Sequence, residues 1–576
     1  MKTNNRNSSI YLIGNIYFII VLFLYFIFFQ INSLAELLKY LKYIDYSLIF
    51  VVLFFEIIRK KYFASVKLFF IEGIKLYALV LFYTVGIDFG LSLIHQAYPN
   101  QLFIFNLVII FKQIFLVVLF FLFRSMYSKC FEPIRLKTPQ VIVLGFLFII
   151  LLGAFLLFQP FSVTNEISFV DALFTSTSAV CVTGLIVKDT PKDFTLIGQI
   201  ILTFLMQIGG LGIMVLYASI FLILPGTLSL KSYSFTSSAL EIQNQNFSFI
   251  NLIKTILKFT FVIEGIGAVI FFARFYHLGY TLQNSIKLSL FHSVSAFCNA
   301  GFSLFSNSFE SFKGDPVLNL NLIFLITMGG IGFLTAFDIF KFFYKRYIKK
   351  IPNVFLAPQT KLVLWMYLIL NIGGALLFFI SEKNYSLRFM GLNEKFFVPL
   401  FQAVTARTAG FNTISIGNLK TSTYTLLCIL MFIGASSGST GGGIKVTTFG
   451  VLILTFFAYI QEKSIVTISY RRIREDTIKK SISVFFAYII FIVVWIFMLS
   501  NIEHFEDKKI VFEVFSAFGT VGLSGGITPF LSETSRILII IAMFIGRIGP
   551  LTLVTAMSRS VINKNITYPA AGINIG

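Results

Sequence analysis

Charged side chains are scarce. They make up 12% of 576 residues, and acids are the scarcer sign, with 25 Asp and Glu against 46 Lys and Arg. Four His and four Cys leave too little for a zinc framework or a disulfide scaffold. The clusters of His, Asp or Glu near one interface that a membrane enzyme such as a lipid transferase would need are missing, so an enzyme is not expected. What fills the chain is apolar: 57% of the residues are hydrophobic, and 73 Phe are more than a water-soluble core of this size would hide. A multi-pass membrane protein follows. The formal surplus of +21 does not point to nucleic acid, because the basic residues fall in short clusters between apolar runs. That is the pattern of cytoplasmic loops facing anionic membrane lipid.

Residues 1–9 are polar and carry Lys2 and Arg6, and the apolar run behind them reaches Phe29, long enough to cross about 30 Å of hydrocarbon. A signal peptide would have a shorter core and a small-residue cleavage site. Gln30-Ile31-Asn32-Ser33 follows instead, so the segment reads as a retained anchor helix. Further apolar runs at 46–58, 77–94 and 102–123 complete an N-terminal block of about four extra transmembrane helices over residues 1–137. Arg59-Lys60-Lys61 and the stretch with Arg124, Lys129, Arg135 and Lys137 place those loops, and the N-terminus, on the cytoplasmic side of the inner membrane. Glu72 and Asp88 are expected to pair with Lys67 or Lys75, since isolated charges inside a bilayer are costly.

The rest of the chain repeats. Short stretches rich in Ser, Thr and Ala end in Cys181-Val182-Thr183-Gly184, in Cys298-Asn299-Ala300-Gly301, in Thr408-Ala409-Gly410 and in Thr520-Val521-Gly522, each followed by Leu or Phe. The four glycines stand 117, 109 and 112 residues apart, and the third stretch is shorter by one residue. A second mark recurs 24 to 28 residues after each glycine: Gly209-Gly210-Leu211-Gly212, Gly329-Gly330-Ile331-Gly332, Gly434-Ala435-Ser436-Ser437 and Gly546-Arg547-Ile548-Gly549. Two marks in register indicate four tandem copies of one unit. Small residues that merely let membrane helices approach are the plain alternative for the second mark.

Each unit parses as membrane helix, polar re-entrant segment, membrane helix. The units are 138–232, 233–350, 351–470 and 471–576. First helices are expected near 141–158, 250–275, 361–380 and 481–500, and second helices near 194–224, 318–343, 425–460 and 537–557, with the first re-entrant segment at 171–185. Basic clusters at Lys341, Lys345, Arg346, Lys349 and Lys350, and at Lys463, Arg471, Arg472, Arg474, Lys479 and Lys480, assign the loops between units to the cytoplasm. Hence the re-entrant segments enter from outside. Non-helical backbone is tolerated at membrane depth only where protein buries it or where it lines a watery path. The expected fold is an all-α polytopic membrane protein, with four helix–pore loop–helix units around a pseudo-fourfold axis. In the Val-Thr-Gly and Thr-Val-Gly tripeptides an extended strand would aim carbonyl oxygens inward to replace the hydration shell of a cation.

These residues resemble the Trk/Ktr/HKT superfamily of potassium transporters. The carriers are Ser178-Ala179-Val180-Cys181-Val182-Thr183-Gly184-Leu185, Thr405-Ala406-Arg407-Thr408-Ala409-Gly410-Phe411, the 434–445 stretch and Gly546-Arg547-Ile548-Gly549-Pro550. The resemblance is to the membrane subunit of bacterial Ktr and Trk systems, over residues 138–576. It implies a potassium-uptake protein that works as a homodimer with one pore per protomer, with K+ as the transported ion and no covalently bound cofactor. It also implies cytoplasmic nucleotide-binding regulatory subunits as partners. Members that prefer sodium often carry Ser where this chain has Gly184, which favours potassium over a sodium-permeable or sodium-coupled reading. The N-terminal block exceeds the usual family form.

Glycine costs a helix about 1 kcal/mol relative to Ala. The run Gly434-Ala435-Ser436-Ser437-Gly438-Ser439-Thr440-Gly441-Gly442-Gly443-Ile444-Lys445 therefore breaks the third unit's second helix, and it reads as a flexible loop under the filter. The resemblance implies that it is an intramembrane gate, with Lys445 holding its end. Arg547 stands where the other units have Gly210, Gly330 and Ala435; it either sets the ion barrier and pairs with the gate loop, or ties helix-end carbonyls together. Arg407 must point behind the filter strand, with Glu513 or Asp171 as partners. Cys181 and Cys298 read as small buried thiols, and His292 as a satisfied polar group. A secondary transporter built of inverted repeats is the rival class. It calls for two halves of opposite topology, whereas these four units run in one sense.

Overall fold

A computed structural model of the chain describes residues 138–212, 249–550 and 552–553. The N-terminal block, the pairing of Glu72 and Asp88 and the expected continuation of a helix over 213–224 lie outside these residues.

Four long helices come first in their respective segments: α1 (Thr138–Phe158), α4 (Phe249–His277), α8 (Pro358–Glu382) and α12 (Glu475–Ile502). Each is followed by a shorter helix: α2 (Phe169–Val180), α5 (Leu282–Phe297), α9 (Leu392–Thr405) and α13 (Asp507–Gly519). A third helix closes each segment: α3 (Leu196–Leu211), α6 (Pro316–Gly330), α10 (Thr421–Phe432) and α14 (Glu533–Ile548). Two further helices, α7 (Phe333–Phe343) and α11 (Val446–Ile460), extend the second and third segments. Much of α4 (Lys254–His277) and the whole of α8 and α12 are long and apolar enough to cross a membrane. Their outer faces agree: Val269, Trp365 and Phe497 are each more than 60% exposed, surface that water would reject and lipid would cover.

Sequence explains where the short elements begin. Ser168, Thr195, Thr281, Asp315 and Ser532 are N-caps whose side-chain oxygens accept from backbone amides of the first turn. Pro316 follows its cap at the first helical position, where its missing N–H costs nothing. The repeated Phe at the start of each short stretch is core: Phe174, Phe291, Phe401 and Phe512 are buried. So are Leu185, Phe302, Phe411 and Leu523, the apolar residues behind each repeated glycine.

Packing runs in a cycle. Each first helix lies on its own short helix, and each third helix lies on the short helix of the next segment: α3 on α5, α6 on α9, α10 on α13, and α14 back on α2. The last contact carries an ion pair across 365 residues of chain. Arg536 Nη1 donates to Asp171 Oδ1 at 2.5 Å and Arg536 Nη2 to the Pro529 carbonyl at 3.0 Å, with Lys188 Nζ 3.7 Å from the same carboxylate.

Three expectations change. The second unit's helix over 318–343 is not continuous: α6 and the α7 segment meet at a bend of 102°, where Gly332 takes φ +93°. A left-handed φ cannot continue a right-handed helix, and glycine adopts it without a Cβ penalty. The same stop ends α14 at Gly549 (φ +88°) instead of running unbroken to 557, and α3 at Gly212 (φ +77°). Beside the helices, the described residues include one small hairpin. It comprises β1 (Thr467–Ile468) and β2 (Arg471–Arg472), turned by Ser469 and Tyr470, both at positive φ.

Arg536→Gln should lower the thermal midpoint of the detergent-extracted protein, a loss of about 2 kcal/mol for a half-buried pair that is broken on one side. Combining it with Asp171→Asn should cost less than the two single losses added, and strict additivity would mean that the pair does not couple α14 to α2.

Candidate functional site

The repeated glycines meet. A methyl group placed on Gly184 would stand 2.9 Å from Gly301 Cα; on Gly301, 3.1 Å from both Gly184 Cα and Gly410 Cα; on Gly410, 3.2 Å from Gly301 Cα and Gly522 Cα; on Gly522, 2.9 Å from Gly184 Cα. The contacts therefore close into a ring in chain order. Each glycine also faces a carbonyl of its neighbour: Ala300 O for Gly184, Ala409 O for Gly301, Val521 O for Gly410 and Thr183 O for Gly522. A Cβ at any of the four would press on a neighbouring carbonyl, so the backbone would have to shift to admit one.

The backbone of the four segments is not an extended strand, as the sequence reading had it. Val182 (φ 57°), Asn299 (φ 60°), Thr408 (φ 73°) and Thr520 (φ 48°) are left-handed, and so is the glycine two residues after each. Three of these are β-branched, for which positive φ is a genuine outlier. A plain strand points successive carbonyls to opposite sides, whereas alternating hand turns them to one side. The amides are taken up on the other side. Thr183 N donates to Ser178 O at 2.8 Å, Ala300 N to Ser295 O at 2.8 Å, Ala409 N to Thr405 O at 3.0 Å and Val521 N to Ser516 O at 2.9 Å. The hydroxyls of the same residues complete the arrangement. Ser178 Oγ accepts from Gly184 N and Ser516 Oγ from Gly522 N, both at 3.0 Å, while Ser295 and Thr405 donate to Phe302 O and Phe411 O, both at 2.7 Å. Sequence reasoning missed these four residues. Their signal was a hydroxyl six residues before each glycine, reduced to five in the third stretch by its deletion.

The short helices end at this ring. Cys181, Cys298, Ala406 and Thr520 are the C-caps of α2, α5, α9 and α13. Four helix C-termini thus bring their negative partial charge to one place, which favours a cation.

The second mark packs directly beneath. Methyl groups on Gly209, Gly329 and Gly546 would strike the carbonyls of Val180, Phe297 and Phe518, each in the last turn of the short helix of the same segment. In the third segment Gly434 instead faces Gly442 of the inserted loop. That loop is well tied. Gly434 N donates to Ile444 O at 2.9 Å, Ser436 N to Gly330 O at 3.0 Å and Gly442 N to Thr520 Oγ1 at 3.0 Å, while Thr440 Oγ1 donates to Phe297 O at 3.3 Å. Ser439 Oγ bonds Ser436 O at 2.6 Å, Ser437 Oγ lies 2.9 Å from Thr447 Oγ1, and Lys445 Nζ donates to Gly441 O at 2.7 Å. Gly441 abuts Thr408 Oγ1, and a methyl on Gly442 would lie 2.9 Å from Thr520 Cγ2. Gly438 (φ +68°) and Gly443 (φ +69°) make its turns.

Arg547 donates from Nη1 to the Thr440 carbonyl of this loop and from Nη2 to the Gly209 carbonyl of α3. Both readings of Arg547 describe part of that geometry. Arg407 is buried, but the expected carboxylates are elsewhere. Asp171 is held by Arg536, and Glu513 by Ser524 and by Thr528 Oγ1 at 3.1 Å. The Arg407 guanidinium lies 3.8 Å over the Tyr367 ring, a cation–π contact supplied by α8. Asn299 joins the second and third segments, accepting from Thr408 Oγ1 at 3.2 Å with its amide nitrogen turned to Ala296 O and Ile326 O. Cys181 and Cys298 are buried free thiols. His292 Nδ1 donates to Leu288 O at 2.8 Å and Nε2 accepts from Leu304 N at 3.1 Å.

Comparison with known proteins bears on this geometry. The pattern of the family described as TrkH, cation transport protein, matches residues 108–565. The chain is 40% identical over 451 residues to Ktr system potassium uptake protein B of Bacillus subtilis, covering 78% of this chain and 99% of the relative. It is 37% identical over 452 residues to potassium/sodium uptake protein NtpJ of Enterococcus hirae, covering 77% and 98%. The crystal structure of the potassium transporter TrkH from Vibrio parahaemolyticus shares the fold, with a TM-score of 0.58 at 20% identity over 84% of this chain and 97% of that one.

Gly442→Ala should lift the loop off Thr520, and amide hydrogen exchange over 434–445 should speed up by at least about tenfold while α8 and α12 stay protected. Unchanged exchange in the loop would mean that Gly442 is not needed for its seating.

Proposed function

This chain belongs to the TrkH family of cation transport proteins, which are transporters and not enzymes, and from that premise we propose that it carries potassium across the cytoplasmic membrane through a carbonyl-lined filter. The observation that carries the reading is the closed ring of Gly184, Gly301, Gly410 and Gly522 with Thr183, Ala300, Ala409 and Val521 carbonyls against it. In this reading the four segments are quasi-equivalent pore loops around a pseudo-fourfold axis. With their amides bonded backward, the carbonyls remain free to replace the water shell of a monovalent ion. The left-handed residues hold that shape at a cost of about 1–2 kcal/mol each, strain of the kind found at functional sites.

The 434–445 loop is the gate. It sits against Thr408 and Thr520 of the filter segments, and glycine at 441 and 442 lets backbone come that close. Arg547 joins the loop to α3, so it adds a fixed positive charge to a steric block. A cation leaving the filter meets both. Relatives named for potassium uptake support the choice of ion, and Gly184 supports potassium over sodium. The cycle of four like segments gives the inverted-repeat reading no support. The family resemblance further supports a homodimer, cytoplasmic nucleotide-binding regulatory subunits and a cytoplasmic N-terminus.

Expression in a host lacking potassium uptake should restore growth at limiting potassium, and Gly184→Ser should weaken discrimination against sodium by about tenfold or more in competition uptake. Rescue indifferent to that change would overturn the filter assignment. Arg547→Gln should raise potassium flux at equal expression, and unchanged flux would remove Arg547 from the gate.

A further inference from the structure

We propose that α7 and the π-helical turn that extends it (Tyr344–Ile348) form a lever that binds the anionic headgroups of the membrane and thereby keeps the 434–445 loop seated. The proposal rests on reading that loop as the gate. Its first support is mechanical. The hinge between α6 and α7 is bonded to the loop at three places: Phe333 N donates to Gly438 O at 2.9 Å, Ser436 N to Gly330 O at 3.0 Å and Thr440 N to Gly329 O at 3.3 Å. At the same hinge the chain bends by 102°, and a methyl on Gly332 would stand 2.7 Å from Ser437 O. Bend and loop are therefore fitted to one another.

The second support is chemical. The root of α7 is buried at Phe333, Thr335 and Ala336, whereas its far end is open and mixed in character. Phe343, Tyr347 and Ile348 are 53%, 66% and 71% exposed, interleaved with exposed Arg346, Lys349 and Lys350. Neither water nor hydrocarbon suits that mixture. The boundary between acyl chains and negative headgroups does, because aromatic rings settle there and basic side chains find phosphate. Asp338 supplies the fulcrum, accepting from Ala357 N at 2.9 Å and Thr360 Oγ1 at 2.8 Å at the start of α8. Helix α7 is thus anchored at α8, tied to the loop at one end and charged at the other. The seated loop and the bent helix occur together, so a surface that stabilises the bend stabilises the closed arrangement.

The test compares the purified full chain with a Lys345→Gln, Arg346→Gln, Lys349→Gln, Lys350→Gln variant. Each is reconstituted in phosphatidylcholine vesicles with and without phosphatidylglycerol. Rubidium flux of the wild type should fall by about threefold or more when phosphatidylglycerol is added, and that of the variant should not change. In a separate Tyr347→Trp protein, brominated phosphatidylglycerol should quench the new fluorescence more than brominated phosphatidylcholine does. Equal lipid response in wild type and variant, a rise in flux with anionic lipid, or no preferential quenching would each overturn the lever. Removal of residues 439–442 separates the two readings. If flux rises on removal while the variant still responds to lipid, the gate stands and the lever falls; if flux does not rise, the gate reading itself has failed.

Discussion

A backbone carbonyl can serve an ion only if the amide beside it is satisfied elsewhere, and at membrane depth there is no water to do so. On the proposed reading of the glycine ring as a filter, the bonding around it follows from that constraint. Amides just after each short helix fold back and donate to carbonyls of its last turn, and a hydroxyl residue there supplies one of those carbonyls. In the first and last segments the hydroxyl takes a further amide as well. The helix C-terminus, which normally leaves carbonyls unpaired, is thereby consumed in supporting the segment that follows it. Left-handed residues are then required, because only a change of hand sends amides one way and carbonyls the other. Glycine accommodates this at the second position, and Val182, Asn299, Thr408 and Thr520 bear the strain at the first.

Close packing beneath the ring obeys a similar rule. A helix can rest on the carbonyls of a short helix's last turn only where it lacks a Cβ, which is why Gly209, Gly329 and Gly546 face Val180, Phe297 and Phe518. The plain view of the second mark, small residues permitting approach, and the structural view, a support for the ring, are thus one fact. The third segment departs because the loop fills the place that a continuous helix would take.

Much of this was legible in the chain. Two sets of glycines in register mark the units, and the glycine run at 434–445 announces a break that the structure places between α10 and α11. The break at Gly332 was not legible by the same means, because the run around it is apolar on both sides and hydropathy cannot see a change of φ. The signal was the Gly-x-Gly spacing shared by Gly210 and Gly212 with Gly330 and Gly332. Ser178, Ser295, Thr405 and Ser516 were visible only as a hydroxyl-rich composition. Their common role depends on a count of residues that the third segment breaks. The partner of Arg407 was out of reach, since a search for opposite charge does not find an aromatic face such as Tyr367.

Repetition and departure from it divide the work. On the ring itself the four segments stay alike, as the proposed filter requires: carbonyls spaced around one ion must be equivalent to strip water evenly. Beneath it the corresponding positions read Gly210, Gly330, Ala435 and Arg547, so the third and fourth segments depart from the first two. The first, second and fourth share a left-handed glycine at Gly212, Gly332 and Gly549, the second bending there by 102°, whereas the third is interrupted by a loop and the fourth also presents a guanidinium to that loop. A symmetric plug would need four moving parts that act together. The proposed asymmetric gate needs a single loop, held by one arginine and one hinge, whose displacement would leave the ring in place.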